Sequence, residues 1–120
     1  MITKVNTVVL YVADQQRSLD FYVGKLGFEK HTDAEMAPGR RWIEVVPPGA
    51  QTTITLFPAE PDYQRPEGLS WLTFSCDNAQ ATYEQLRDRG VEVSEPVTEP
   101  WSTYLQVTDP DGYSFIVGER

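Results

Sequence analysis

Residues 7–29, TVVLYVADQQRSLDFYVGKLGFE, contain the strongest fold signal in the sequence. The run TVVLYV at 7–12 is rich in β-branched residues and predicts a buried strand. Asp14 follows as a predicted helix N-cap, and Gly27 predicts the helix end, because that position often requires a positive φ. Between them, four apolar residues recur at helical spacing and predict one buried helix face: Leu19, Tyr22, Val23 and Leu26.

The same order of signals returns in the second half of the chain. Residues 69–75, LSWLTFS, predict a strand, Asp77 is the predicted cap, and Gly90 is the predicted helix end. Each glycine follows its aspartate by 13 residues. The predicted face of this second helix consists of Ala79, Tyr83 and Leu86. The remaining strands are predicted at 27–31, 41–46, 52–57, 91–97, 103–109 and 113–119.

This repetition predicts an α+β fold of two βαβββ units, residues 1–58 and 68–120, joined by a proline-rich linker at 59–67. One helix can shield only one face of the sheet in each unit. We therefore expect the two uncovered faces to enclose a cleft. Functional side chains are expected on strand positions that face away from the helices.

Composition narrows the function classes. The chain has 120 residues, 40% of them hydrophobic, which is typical of one globular domain. A net charge of −8 disfavours nucleic acid and anionic membranes as partners. The sequence has no apolar run long enough to span a membrane and no signal-peptide pattern at its start, so we expect a cytoplasmic location. One cysteine, Cys76, excludes an internal disulfide and a multi-cysteine metal site.

Several of these residues resemble the vicinal oxygen chelate superfamily, which includes glyoxalase I, extradiol dioxygenases, fosfomycin-resistance enzymes and bleomycin-resistance proteins. The resemblance lies in the DPDGY motif at 109–113 and in Asp14, Ser18, Phe21, Tyr22, Leu26, Gly27 and Phe28. It covers nearly the whole chain and implies the paired βαβββ fold. It does not imply one reaction, because this fold hosts both enzymes and binding proteins.

Metal enzymes of this superfamily carry four His or Glu ligands on strand positions that face the cleft. The resemblance implies that the matching positions here are Thr7, Thr55, Trp71 and Ile116. Neutral threonine hydroxyls are poor ligands, and tryptophan and isoleucine have no lone pair to offer. We therefore expect no metal and no other cofactor.

The resemblance is closest to bleomycin-resistance proteins, which are similar in length, acidic and without metal ligands. LSW at 69–71 and PW at 100–101 match that branch. The branch forms homodimers that sequester a cationic, planar drug in an acidic, aromatic cleft. The proline that allows strand exchange there is replaced here by Val9 or Leu10, so neither strand exchange nor bleomycin as ligand is expected. The predicted function is a metal-independent binding protein that sequesters a toxic or antibiotic-like aromatic or cationic small molecule.

The predicted ligand-binding residues all lie on strands or at a hairpin: Thr7, Trp42, Thr55, Phe57, Trp71, Trp101, Tyr104 and Ile116. Two interpretations of the tryptophans remain open, since Trp42 and Trp101 could fill core volume and Trp71 could plug the cleft or offer a stacking platform. A metal-independent enzyme with Glu44 as acid or base is the alternative function. It requires a raised pKa for Glu44, whereas an ion pair with Arg40 or Arg41 would make this glutamate structural. A dimerisation or regulatory module without a ligand is a third hypothesis.

Overall fold

A computed structural model of the protein describes the backbone of residues 1–120 and the side chains of all of them except Trp71. The chain divides into two compact units, Met1–Gln64 and Arg65–Arg120. Each unit combines one mixed sheet with one helical segment. The predicted α+β class with two βαβββ-like units is therefore confirmed.

Unit 1 is a four-stranded sheet with the strand order β1-β4-β3-β2. β1 lies parallel to β4, and the other neighbours are antiparallel. The elements follow the chain in this order: β1 Thr7–Val12, α1 Gln15–Leu19, a π-helical segment Asp20–Lys25, β2 Glu29–Ala37, β3 Arg40–Val46 and β4 Thr53–Pro58.

Unit 2 repeats this topology. Its sheet has the order β5-β9-β8-β6, with β7 also paired to β8, and β5 lies parallel to β9 as β1 does to β4. Its elements are β5 Leu69–Cys76, α2 Ala79–Asp88, β6 Glu92–Val93, β7 Val97–Glu99, β8 Ser102–Thr108 and β9 Ser114–Glu119.

Strand alternation separates two faces of the sheet in unit 1. One face is apolar and forms the core together with Leu19, Phe21 and Tyr22 of the helical segment, all of them buried. Its strand residues are Leu10 and Val12 of β1, Ile43 and Val45 of β3, and Ile54 and Leu56 of β4. The opposite face contains hydroxyl, carboxylate and aromatic side chains.

The helix face predicted for unit 1 is wrong at Val23. The α-helix ends at Leu19 and continues as a π-helical segment, in which the amide of Leu26 donates to the carbonyl of Phe21 at 3.1 Å. The wider π turn places Phe21 next to Tyr22 in the core and leaves Val23 36% exposed. Gly27 ends the segment with a φ of 78°, as predicted.

Three other local predictions need correction. The N-cap of α2 is Asn78, whose Oδ1 accepts from the amide of Ala81 at 2.9 Å, and not Asp77. The strand predicted at 27–31 starts later and runs to Ala37, because it pairs with β3 along most of its length. The strand predicted at 91–97 divides into β6 and β7, which pair with different parts of β8.

Candidate functional site

Five of the residues predicted from sequence share one face of the unit 1 sheet: Thr7, Trp42, Glu44, Thr55 and Phe57. Thr7 lies beside Thr53, Glu44 lies opposite Thr55, and Tyr11 lies beside Phe57 in the strand register. Trp42 precedes Glu44 by two residues on β3 and therefore shares its side of the sheet. We call these side chains, together with Thr53 and Tyr11, the site face of unit 1.

Threonine hydroxyls connect the strands on the site face. Thr7 Oγ1 donates to the carbonyl of Thr53 at 3.1 Å and lies 2.7 Å from Thr55 Oγ1. A hydroxyl has a single proton, so Thr55 must donate to Thr7. Thr55 is fully buried. The hydroxyls of Thr7 and Thr55 therefore satisfy each other by a hydrogen bond.

Glu44 is the only carboxylate of the site face, and its side chain is 14% exposed. Thr53 Oγ1 donates to its Oε2 at 2.8 Å. Burial alone would raise the pKa of Glu44, but the Thr53 hydrogen bond, the neighbouring polar groups of Thr32 and Trp42 and the nearby His31 outweigh it and hold the pKa below its ordinary value. The raised pKa required by the acid–base hypothesis is thus absent, and Glu44 is ionised at neutral pH.

The expected arginine partners of Glu44 are engaged elsewhere. Arg41 forms a bidentate pair with Asp33, through Nε–Oδ1 at 2.9 Å and Nη2–Oδ2 at 2.6 Å. The Arg41 hydrogen bond holds the pKa of Asp33 below its usual range. Arg40 lies 3.8 Å from Glu60 and places its guanidinium 5.9 Å from the centre of the Phe57 ring. The side chain that approaches Glu44 instead is His31, with Nδ1 at 3.8 Å from Oε1.

Three aromatic rings line the other part of the site face. Phe57 meets Trp42 edge to face, with ring centres 5.8 Å apart at 78°, and meets Tyr11 at 6.0 Å and 84°. Trp42 is partly exposed and Tyr11 is 48% exposed. Since Trp42 lies opposite the apolar core, the interpretation of this tryptophan as core filler is wrong.

In unit 2, the structure brings together Trp101, Tyr104 and Ile116. They line a cavity of about 370 Å³, to which Thr73, Ser75 and Ser102 contribute hydroxyl groups. Trp101 is 77% exposed, so it fills no core volume. Trp71, the other tryptophan predicted for this unit, has its side chain outside the described part of the structure.

The side chains present do not fit the ligand set of the superfamily's metal enzymes. At three of the four positions that the resemblance implies, the side chains are poor ligands. Thr7 and Thr55 offer neutral hydroxyls that bond each other, and Ile116 offers only a hydrocarbon. Among residues with described side chains, no group of three or more His, Cys, Asp or Glu could hold a metal ion. Within the described helices, none is long and apolar enough to cross a membrane.

Sequence reasoning missed His31 and Gln15. His31 reaches Glu44 because the pairing of β2 with β3 is irregular between Lys30 and Thr32, and such bulges redirect a side chain. The side-chain amide of Gln15 bridges β3 and β4 by donating to a backbone carbonyl on each strand. No spacing pattern indicated either residue, since both depend on how β3 meets its neighbours in space.

Fold and site together define a duplicated βαβββ protein whose site face in unit 1 combines threonine hydroxyls, one carboxylate and three aromatic rings. The chain belongs to the Glyoxalase/Bleomycin resistance protein/Dioxygenase superfamily, whose family model matches residues 4–117. It is 35% identical to the uncharacterised Bacillus subtilis protein YetH over 120 residues, which is 99% of this chain and all of that protein.

Two solved structures are similar over nearly the whole chain. A superfamily member from Sphaerobacter thermophilus is 35% identical, with a TM-score of 0.88, over 99% of this chain and 98% of that one. TnmS3, an antibiotic binding protein from Streptomyces sp. CB03234, is 31% identical, with a TM-score of 0.84, over 98% of this chain and 96% of that one.

Proposed function

We propose that this protein binds a small aromatic or cationic molecule without a metal and protects the cell by sequestering it. The observation that carries the proposal is the site face of unit 1. There the Phe57 ring contacts both Trp42 and Tyr11 edge to face, and the ionised carboxylate of Glu44 lies on the same face. Stacking and cation–π attraction suit flat or cationic ligands. The similarity to an antibiotic binding protein supports a toxic or antibiotic-like ligand.

The proposed contact residues are those predicted from sequence: Thr7, Trp42, Thr55, Phe57, Trp71, Trp101, Tyr104 and Ile116. We also propose a cytoplasmic homodimer. Exposed apolar side chains on the edge strand β1 support the dimer, since Val9 is 41% and Tyr11 48% exposed.

A metal-independent enzyme that uses Glu44 as acid or base is less well supported. A general acid must be protonated at the working pH, and an effective base needs a pKa close to it. The hydrogen bond from Thr53 stabilises the ionised form of Glu44 and helps to lower its pKa, which weakens both roles. The same hydrogen bond suits a glutamate whose role is to stay ionised in a fixed position.

A binding experiment tests the proposal. Proflavine, a planar aromatic cation, should bind the purified protein and quench its tryptophan fluorescence. Trp42→Ala should weaken the affinity by about 30-fold, the effect of removing an aromatic residue central to an interface. Tyr83→Ala, which removes an aromatic residue of α2 that packs under Arg87, should leave the affinity unchanged.

Two results would contradict a binding role. One is failure of proflavine and of other planar probes to bind the wild-type protein at millimolar concentration. The other is an affinity that Trp42→Ala leaves intact.

A further inference from the structure

We propose that the cavity of unit 2 is a binding site for a neutral saccharide ring. The cavity has a volume of about 370 Å³, within the range of small-molecule pockets. This inference rests on the proposed function only in taking Trp101, Tyr104 and Ile116 as ligand contacts. For these three residues it replaces an aromatic or cationic ligand by an uncharged ligand that carries several hydroxyl groups.

Three neighbouring strands form the floor of the cavity. In the strand register, Gly118 of β9 lies between Ser75 of β5 and Tyr104 of β8. Two residues earlier in β9, Ile116 lies beside Thr73 of β5 and therefore shares this face of the sheet. All five residues line the cavity. Strand alternation thus brings three hydroxyl-bearing side chains to one surface around a glycine.

Gly118 gives the cavity its depth. The nearest described atom to a Cβ added at this position is Ser102 Oγ, at 3.7 Å, which is an ordinary contact distance. The backbone does not require a glycine here, because the φ of Gly118 is not positive. A glycine inside a strand weakens it and often marks a place where another group approaches the backbone closely. The space above Gly118 is therefore available to a ligand.

The hydroxyl groups of this cavity are available for hydrogen bonds to a ligand, unlike those of unit 1. In unit 1 the threonine hydroxyls of the site face bond each other or Glu44. In unit 2, no hydrogen bond among the described side chains engages the hydroxyl of Thr73, Ser75 or Tyr104. A ligand that covers these hydroxyls must replace the water bound to them, since an unpaired polar group is costly to bury. A saccharide can do this, because each of its hydroxyls both donates and accepts.

Trp101 adds an apolar surface beside these hydroxyls. It lies in the turn between β7 and β8, lines the cavity and is 77% exposed. An indole ring gains free energy when apolar groups cover it. The faces of a pyranose ring carry C–H groups and its edge carries hydroxyls, so one ring can stack on Trp101 and hydrogen-bond to the strands. A purely aromatic ring would cover the indole but leave the strand hydroxyls without partners.

The charged residues of the cavity favour an uncharged ligand. Glu119 and Arg120 both line it and have opposite signs. Oε2 of Glu119 accepts from the amide of Ala79 at 2.9 Å, so this carboxylate is engaged at the start of α2. A ligand cation would compete with that amide and meet the positive charge of Arg120. A neutral ring has neither cost.

Two probes with the same ring test the proposal by ¹⁵N spectroscopy. Methyl β-D-glucopyranoside has equatorial hydroxyls that leave both ring faces apolar. It should cause saturable shifts of the Trp101 indole signal, which Trp101→Phe identifies, with a dissociation constant of about 1 mM, as expected of so small a ligand. The matched probe 2-methoxytetrahydropyran lacks the hydroxyls and should bind at least about tenfold more weakly.

A glycine variant tests the position of the site. Gly118→Val places a side chain on the floor of the cavity and should weaken glucoside binding by about tenfold or more. Gly24→Val is the matched control, since no described atom lies within 4 Å of a Cβ at this glycine of the π-helical segment. It should leave the affinity within about twofold of the wild-type value.

Aromatic variants test the contacts without disturbing the fold. Trp101→Ala changes a residue that is 77% exposed and should weaken glucoside binding by about tenfold. Tyr104→Phe removes one hydroxyl from the cavity and should weaken it by about threefold. Tyr83→Phe, which removes a hydroxyl from α2, is the matched control and should have no effect.

Four results would overturn the saccharide site. One is the absence of an indole shift with methyl β-D-glucopyranoside, methyl β-D-galactopyranoside and methyl α-D-mannopyranoside. The second is equal affinity for 2-methoxytetrahydropyran, and the third is an affinity that both Gly118→Val and Trp101→Ala leave intact. The fourth is dissociation of a dimer by Trp101→Ala without saccharide binding, which would mean that a second copy of the chain covers Trp101.

The saccharide site and the proposed function fail in different ways. Binding of proflavine without binding of any saccharide would refute the saccharide site and leave the proposed function standing. Binding of a saccharide without binding of proflavine would refute an aromatic or cationic ligand and leave the saccharide site standing.

Discussion

At the scale of single residues, Thr7 and Thr55 show how polar side chains on the site face satisfy each other without a ligand. Their hydroxyls lie 2.7 Å apart and satisfy each other across β1 and β4. Glu44, in the adjacent strand, is held by Thr53 in the same way. The hydroxyls of Thr7 and Thr55 and the carboxylate of Glu44 thus each have a partner on the protein, which is the condition for burying them without a large free-energy cost.

The depressed pKa of Glu44 predicts a contribution to acid unfolding. A carboxyl whose pKa is lower in the folded state stabilises the fold above the pKa of the unfolded chain, about 4.3, and this stability is lost as the pH falls through the folded value. The free energy of unfolding in urea should therefore fall between pH 5 and pH 3, and fall less steeply in Glu44→Gln. Glu29→Gln should follow the wild-type slope. Parallel slopes for all three proteins would contradict the assignment.

At the scale of elements, Gln15 connects the start of α1 to two strands. Its Nε2 donates to the carbonyls of Arg41 at 2.6 Å and Leu56 at 2.8 Å, and its Oε1 accepts from the amide of Arg41 at 3.1 Å. The pairing of β3 with β4 includes Glu44 opposite Thr55 and Val45 opposite Ile54, and Gln15 bridges the strands beyond these pairs. One side chain thus satisfies backbone groups that strand pairing would otherwise have to satisfy.

Gln15→Ala should lower the free energy of unfolding by about 2–3 kcal/mol, because it leaves three partly buried backbone groups without this partner. Gln16→Ala is the matched control. Its side chain bonds Asp20 and Arg41 at the surface, where such bonds contribute little, so the loss should stay below about 1 kcal/mol. Urea denaturation measures both values. Equal losses in the two variants would show that Gln15 has no special role.

Sequence patterns predicted some features of the helices and strands but not others. The strands, both glycine helix ends and the face shared by Trp42 and Glu44 follow from local periodicity and turn chemistry, which act within a few residues. The π-helical segment and the cap at Asn78 do not, because adjacent residues compete for those roles and packing decides between them. The approach of His31 to Glu44 depends on a bulge, whose position is set by pairing across strands.

At the scale of the whole molecule, the two units share a topology but differ in their chemistry. Unit 1 combines a half-buried carboxylate with three rings, whereas the cavity of unit 2 is lined by Trp101, Tyr104, several residues with hydroxyl groups, and the oppositely charged residues Glu119 and Arg120. Duplication of one scaffold with different side chains thus produces two surfaces of different polarity. This difference is a reason to study variants of both units in any binding experiment.

The proposed homodimer should be visible by sedimentation velocity at micromolar concentration, and its interface should include β1. β1 is an edge strand of its sheet, and Val9 and Tyr11 expose 41% and 48% of their surface on the side that also contains Thr7. A stable interface excludes charge from its centre, so Val9→Asp should weaken the dimer by about tenfold or more. Val23→Asp, a similar change at a residue of the π-helical segment that is 36% exposed, is the control and should leave the dimer intact. A monomer at all concentrations, or equal dissociation by both substitutions, would contradict an interface at β1.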